Sequence, residues 1–219
     1  MTGAPTGAAG RSARAWVFLF VATLLALGAD LATKQLAFRR IADAPVEVRR
    51  EDVLQGGPLS RLIPPHRPVI VVANGLEFTL VLNPGAVFGI GAGKRLVFIA
   101  FTGAAILFAL WMFARWMTER DRAAHLGVAL LLAGGLGNLY DRLVFACVRD
   151  FIHPLPGVKL PFGWSYPWAS GPSSGEIWPY VSNIADLWLI LGIGILVLRT
   201  WRAAPPASNP AVEPTPLTR

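Results

Sequence analysis

The sequence predicts a mainly α-helical membrane protein, with four transmembrane helices carrying a small β-rich extracytoplasmic cap. Three observations lead there. Of 219 residues, 54% are hydrophobic and only 15% are charged, against about 25% charged residues in ordinary soluble domains. Four apolar runs each approach the roughly 20 residues that a helix needs to cross a hydrocarbon core. Between the first two runs, Pro- and Gly-rich sequence gives way to apolar alternation of the strand type. The same features exclude other classes. A chain this apolar is not disordered throughout, and Cys147, the single cysteine, has no partner for an internal disulfide. The basic residues behind the net charge of +7 lie between the apolar runs, where loops meet lipid head groups. No nucleic-acid-binding motif accompanies them, so no nucleic acid partner is expected.

Taken in order, residues 1–15 read as a flexible cytoplasmic tail with Arg11 and Arg14. The first span runs from Trp16 to about Phe38. A cleaved signal peptide is the alternative there, because two arginines precede an apolar core. The pattern continues past Asp30 through Leu31, Ala32, Leu36 and Ala37, which favours a retained helix. An outer loop, 39–93, is broken by Gly56, Gly57, Pro58, Pro64, Pro65 and Pro68. It then alternates through Val69–Val72 and Glu77–Leu82, and Gly85, Gly89, Gly91 and Gly93 punctuate the β-rich cap. Leu96 to Met117 is the second span. A short charged turn follows, and Ala123 to about Val144 is the third span, where Gly134, Gly135 and Gly137 suit close helix packing. A second outer loop, 151–182, carries Trp164, Tyr166, Trp168, Trp178 and Tyr180, the composition of an aromatic belt. Ile184 to about Trp201 is the fourth span, residues 16–202 form the membrane domain, and 203–219 read as a disordered Pro-rich tail. Four spans put both termini on one side. Arg11, Arg14, Arg115, Arg120, Arg122, Arg199 and Arg202 make that side the cytoplasm, although Arg39, Arg40, Lys94 and Arg95 then lie outside.

An ionisable side chain at membrane depth costs about 2.5–3.5 kcal/mol on insertion scales, which makes each one a functional candidate. On this topology they gather at one level, near the outer interface. Asp30 and Lys34 end the first span, Asn138, Asp141 and Arg142 end the third, Asp150 follows it, Asn183 and Asp186 open the fourth, and Asn83 lies in the first outer loop. A proton relay or ion path needs polar groups through the whole depth, so a transporter subunit is disfavoured. Asp150 and Asp186 are the pair of interest. Two carboxylates brought close share a proton, and such a pair supplies both acid and base for amide hydrolysis. The bland readings are a helix-end carboxylate for Asp150 and a dipole-stabilised one for Asp186. Asp30 and Lys34, spaced i,i+4, can simply pair. Asp141 reads as a structural cap or ion-pair partner, and Cys147 as inert packing rather than a nucleophile. His153 and Asp150 together are too few for a structural metal site.

These residues resemble lipoprotein signal peptidase, or signal peptidase II, over about residues 16–200. Five blocks stand in the family's order: Asp30-Leu31-Ala32-Thr33-Lys34, Asn83-Pro84-Gly85-Ala86-Val87-Phe88-Gly89, Gly134-Gly135-Leu136-Gly137-Asn138-Leu139-Tyr140-Asp141-Arg142, Val148-Arg149-Asp150-Phe151 and Asn183-Ile184-Ala185-Asp186. The resemblance implies a four-span aspartic endopeptidase of the bacterial cytoplasmic (inner) membrane. Such an enzyme cuts the signal peptide from prolipoproteins just before their diacylglyceryl cysteine, and the site would lie near the outer face. It implies Asp150 and Asp186 as the catalytic dyad. Asp30, Lys34, Asn83, Gly85, Asn138, Arg142 and Asn183 would support the dyad or the substrate. Membrane lipid is the expected surroundings, a monomer the expected state, and no metal or organic cofactor is implied. The chain departs from the family at Ser182, where an aromatic residue is usual, and in longer stretches at 153–180 and 39–76. A non-catalytic membrane scaffold that binds lipoproteins or lipids is the competing reading, with the aspartates as helix caps.

Overall fold

The computed structural model describes residues 7–85, 95–167 and 172–203. The expected continuation of the cap through residues 86–93, Trp168, the first six residues of the tail and the Pro-rich segment 204–219 lie outside the described residues. Five α-helices are seen: α1 (Ala13–Arg40), α2 (Arg50–Leu54), α3 (Arg95–Trp116), α4 (Arg122–Val144) and α5 (Ile184–Ala203). Among the described residues, α1, α3, α4 and α5 are long and apolar enough to cross a membrane. Three strands, β1 (Val69–Val72), β2 (Leu76–Asn83) and β3 (Val148–Pro154), form one antiparallel sheet in the order β1-β2-β3.

Helices α1 and α4 begin where a side chain can satisfy a free N–H group. Ser12 Oγ accepts from Ala15 N at 3.4 Å before α1, and Asp121 Oδ1 accepts from Ala124 N at 3.1 Å before α4, as N-caps do. The central helix is α4, mostly buried, while α1, α3 and α5 turn most of their apolar surface outward, as lipid-facing helices do. Leu24, Leu25, Leu96, Phe101, Leu107, Ile193 and Trp201 are among the exposed apolar side chains. Glycines let α4 and α5 touch backbone to backbone. A Cβ on Gly134 would strike Ala185 O and Leu189, and one on Gly192 would strike Gly127 O. Gly135 has room for a Cβ, so close packing explains Gly134 and Gly137 but not Gly135. One apolar core, with Leu19, Phe113, Val128 and Leu132, joins α1, α3 and α4. Another, with Phe38, Ile63, Leu80, Leu82, Cys147 and Phe151, lies between the end of α1 and the sheet.

Three local expectations need correction. The tail is not flexible from Gly7 onward. Ala9 is buried in a 3-10 turn, its N–H bonds Met117 O at 2.8 Å, and Glu119 N bonds Gly7 O at 2.9 Å. Small residues make this possible, because a Cβ on Gly10 would collide with the Ala114 backbone. The first half of the cap is helical rather than β-rich. It holds α2 and a 3-10 turn at Leu59–Leu62, and the Arg50 guanidinium caps the Leu143 carbonyl at the end of α4. Finally, Asp150 does not ride on a helix end. Ala146 takes a left-handed φ of 63° just past α4, a helix stop usually made by glycine. That turn swings the chain back as β3, paired with β2.

Candidate active site

Strand alternation places the first half of the site. Val81 pairs with Asp150 and Asn83 with Val148, so Asn83 and Asp150 project from the same face of the sheet. Asn83 Nδ2 donates to Asp150 Oδ2 at 3.1 Å. Asn83 Oδ1 accepts from Gly85 N at 3.0 Å, which folds the chain after β2 into a tight turn.

Helix capping places the second half. Asn183 is the residue before α5, and Asp186 is its third residue. Asp186 N donates to Asn183 Oδ1 at 3.2 Å, and Asn183 N donates to Asp186 Oδ2 at 3.1 Å. This is a capping box built from Asn and Asp. It holds both side chains at the helix mouth. Asp30 Oδ1, reaching over from α1, accepts from Ala185 N at 2.8 Å, so one more free N–H of α5 is satisfied by a carboxylate.

The halves meet at two amides. Asn183 Nδ2 donates to Asp150 Oδ1 at 2.6 Å and to Asn138 Oδ1 at 3.2 Å. Asn138 Nδ2 donates to Asp186 Oδ1 at 2.8 Å. One residue, Asn183, therefore touches both aspartates. The orientation of Asn138 follows from its neighbours. Its Oδ1 faces two donors, Asn183 Nδ2 and Lys34 Nζ at 3.1 Å, so its Nδ2 is left for Asp186. Arg142 closes the rim, with Nη1 on Asn138 O at 3.2 Å and Nη2 on Gly85 O at 3.0 Å. Thus all nine residues singled out in the sequence gather in one network.

The two carboxylates sit in different surroundings. Asp150 is buried, and Asp186 is half-buried. Burial, and then the neighbouring Asp186 charge, push the Asp150 carboxyl up to about 7, against the amide donors of Asn183 and Asn83 that favour its ionised form. Asp150 therefore holds a proton that most carboxyls have lost at neutral pH.

Beneath the pair lies a fully buried charge cluster. Lys34 Nζ is 2.9 Å from Asp30 Oδ2 and 3.5 Å from Asp141 Oδ2, and Arg149 Nη2 is 2.8 Å from Asp141 Oδ1. Two cations thus balance two anions, which offsets the large cost of burying each alone. The i,i+4 pair of Asp30 and Lys34 forms, but it is also the base on which Asn138 stands. Arg149 is the member that sequence reasoning missed. It also donates from its backbone to Asp141 Oδ2 at 3.0 Å and lies over the Phe145 ring at 4.2 Å. Its place next to Asp150 in the sequence is its one signal there. Gly137 adjoins the cluster too, since a Cβ there would fall on Asp30 Oδ2.

His153 does not face Asp150. Three positions along a strand is the opposite face, and its ring lies between Glu77 and Glu176. Cys147 is fully buried, and burial pushes its thiol up to about 12, far from the thiolate that a nucleophile requires. Cys147→Ala is expected to keep at least about half of the wild-type turnover, as measured on the substrate proposed below. A loss beyond about 100-fold, the scale of a lost catalytic group, would give the thiol a chemical role.

Known proteins are similar to this chain in sequence and in fold. A lipoprotein signal peptidase of Moorella thermoacetica is 33% identical over 152 residues, covering 68% of this chain and 83% of that protein. One of Chlorobium phaeobacteroides is 31% identical over 141 residues, covering 64% and 81%. A bacterial membrane enzyme solved by the in meso method at 2.3 Å matches the fold with a TM-score of 0.58 at 21% identity, covering 84% of this chain and 87% of that one. Residues 21–202 match the family model for signal peptidase (SPase) II, and the chain belongs to the signal peptidase II family.

Proposed function

We propose that this multi-pass membrane peptidase is an aspartic endopeptidase that removes the signal peptide from lipid-modified prolipoproteins, cutting just before the diacylglyceryl cysteine. The observation that carries the aspartic reading is the convergence of Asp150 and Asp186, from a strand and a helix, on the single residue Asn183, whose side-chain amide holds Asp150 and whose backbone N–H holds Asp186. Asp186, the more exposed partner, takes a proton from water, and the resulting hydroxide adds to the carbonyl carbon of the scissile bond. Asp150, which still holds its proton near neutral pH, donates it to the carbonyl oxygen. The tetrahedral intermediate then collapses: one of its hydroxyls returns a proton to Asp150, the C–N bond breaks, and the proton held by Asp186 passes to the leaving amine, giving one acid and one amine. The protein works as a monomer in the bacterial cytoplasmic membrane, with both termini in the cytoplasm and the dyad near the outer face. Arg14, Arg120 and Arg122 support that orientation. They line a groove of about 950 Å³ at the opposite end of the helices from the dyad, where the positive-inside rule puts basic residues.

The test uses the purified full chain in detergent, with a precursor peptide that bears or lacks the diacylglyceryl group. The lipidated form is expected to yield a product beginning at the modified cysteine, read by mass. Its kcat/KM should exceed that of the unlipidated form by at least about 100-fold, because each buried CH2 contributes about 0.8 kcal/mol. Equal rates on the two forms would remove the lipid from substrate recognition. Binding of intact precursor without a product would favour a scaffold.

A further inference from the structure

The two candidate catalytic residues ride on elements joined by a long excursion, residues 155–182. Where the excursion returns, it meets β3 at one short bridge. Phe151 N and Ile152 N donate to Ser182 O at 2.9 and 2.8 Å, and Ser182 N donates to Ile152 O at 2.8 Å. Asp150 lies two residues before Ile152, and Asn183 directly follows Ser182. This bridge therefore sets the reach between Asp150 and the capping box that holds Asp186.

One residue beyond the bridge, on the face of β3 opposite Asp150, His153 is 8% exposed. Its Nδ1 lies 2.9 Å from Glu77 Oε1 on β2. Its Nε2 lies 3.3 Å from Glu176 Oε2 and 3.3 Å from Trp178 O, both on the returning excursion. Glu176 is 7% exposed and is itself seated. Its backbone pairs with Lys159, whose Nζ is 3.9 Å from Glu176 Oε1, and the flanking bonds Ile177 N to Val158 O and Leu160 N to Gly175 O are 2.8 and 2.7 Å. The base of the excursion, 158–160 against 175–177, is thus closed as a hairpin, and the imidazole buckles it to the sheet. Nδ1 meets Glu77 Oε1 and Nε2 meets Trp178 O, one acceptor on each side of the junction, while Glu176 Oε2 lies in ion-pair range of Nε2 without a hydrogen bond.

We propose that His153 is a positioning residue for the dyad. By clamping the hairpin that ends at Trp178 to Glu77 of the sheet, it fixes Ile152 against Ser182, and so fixes Asp150 against Asn183 and Asp186. The inference rests on reading Asp150 and Asp186 as the catalytic pair. A displacement near 1 Å at a reacting group costs up to about 100-fold in rate, so a clamp outside the chemistry has a catalytic effect.

The test compares the full-length wild type, His153→Phe and Glu176→Gln in detergent, with Asp186→Asn as the inactive reference. His153→Phe keeps a ring but removes both polar bonds. Glu176→Gln leaves both hydrogen bonds of the ring, to Glu77 Oε1 and Trp178 O, in place. Two readouts are taken: hydrogen exchange at the amides of Phe151, Ile152 and Ser182, and kcat, KM and the pH–rate profile on the lipidated precursor. In His153→Phe the bridge amides are expected to exchange at least about tenfold faster. Its kcat should fall about 10- to 100-fold with KM within about twofold, and the alkaline limb should move because the spacing between Asp150 and Asp186 has changed. Glu176→Gln should keep most of kcat. Bridge amides as slow as in the wild type, or a lower kcat with an unmoved alkaline limb, would overturn the proposal, because a residue that only stabilises the fold changes the amount of active protein and not its titration. Full activity in Asp186→Asn would instead defeat the dyad itself, and the amide exchange would still report whether the clamp exists.

Discussion

Asp150→Asn and Asp186→Asn are each expected to lower kcat by roughly 10²–10⁴-fold, the range that one acid or base supplies, while the lipidated precursor still binds. The two substitutions remove different halves of the reaction. At position 186, Asn can still close the capping box through its carbonyl oxygen, because Asn183 N donates to one carboxylate oxygen there. Its NH2 then faces Asn138 Nδ2, which donates to the other carboxylate oxygen at 2.8 Å, so one pairing is lost with the base, at a half-buried position where water can replace it. At the buried position 150 both carboxylate oxygens likewise accept from amides, Asn183 at 2.6 Å and Asn83 at 3.1 Å. An amide at position 150 must turn its NH2 towards one of them, so this variant should also be less stable, by the cost of one poorly paired buried group, about 1–3 kcal/mol. Full activity in either variant removes that residue from the dyad. The pH dependence has a definite sign. The acid form of Asp150 is the working one, and its carboxyl is pushed up to about 7. Activity should therefore fall as pH rises through that value, on the alkaline limb of the kcat/KM profile. Asn83→Ala removes a donor that favours the ionised form, so that limb should move to higher pH. An alkaline limb that stays in place while the acid limb moves to higher pH would mean that Asp150 acts in its charged form.

Much of this architecture is legible in the sequence, for reasons that differ by element. An apolar run of about 20 residues has one cheap solution in lipid, a helix that pairs all its backbone groups internally, and the four spans lie within a few residues of their expected limits. The Asn183–Asp186 block reads as a helix start because its spacing is that of a capping box. β3 was not legible. Val148 to Phe151 are all buried, so no alternation of exposed and buried positions marks a strand, and the segment reads as a trailing end of the third span. The turn that exposes it to β2 depends on Ala146 in a left-handed conformation, where a glycine would have announced the break. Arg149 was lost for the same reason: without that turn, nothing brings it back to Asp141. The docked tail shows the same limit, because Gly7 to Gly10 are small enough to pack closely but carry no apolar pattern.

Lys34→Met is expected to destabilise the fold strongly. The cluster under the dyad holds Lys34 and Arg149 against Asp30 and Asp141, and the side chains of Lys34, Asp30 and Asp141 are fully buried. Removing Lys34 leaves one buried negative charge without compensation, and breaking a buried pair from one side costs about 3–5 kcal/mol. That is a large share of a typical folding free energy. The loss should appear as a lower unfolding temperature and a smaller folded fraction in detergent. The double variant Asp30→Asn with Lys34→Met tests the cause. It restores neutrality, and the Asn carbonyl oxygen can still accept from Ala185 N, where Asp30 Oδ1 now accepts at 2.8 Å. If charge balance governs, the double variant should be more stable than Lys34→Met alone. If packing of the lysine stem governs, the second substitution should add its own cost. Stability and activity should then separate. Lys34 Nζ also turns Asn138 Oδ1 away from Asp186, and neutralising Asp30 does not replace that donor. The double variant is therefore expected to fold yet cleave the precursor more than about tenfold more slowly than the wild type. A double variant as active as the wild type would show that Asn138 keeps its orientation without the lysine, and that the cluster serves the fold alone.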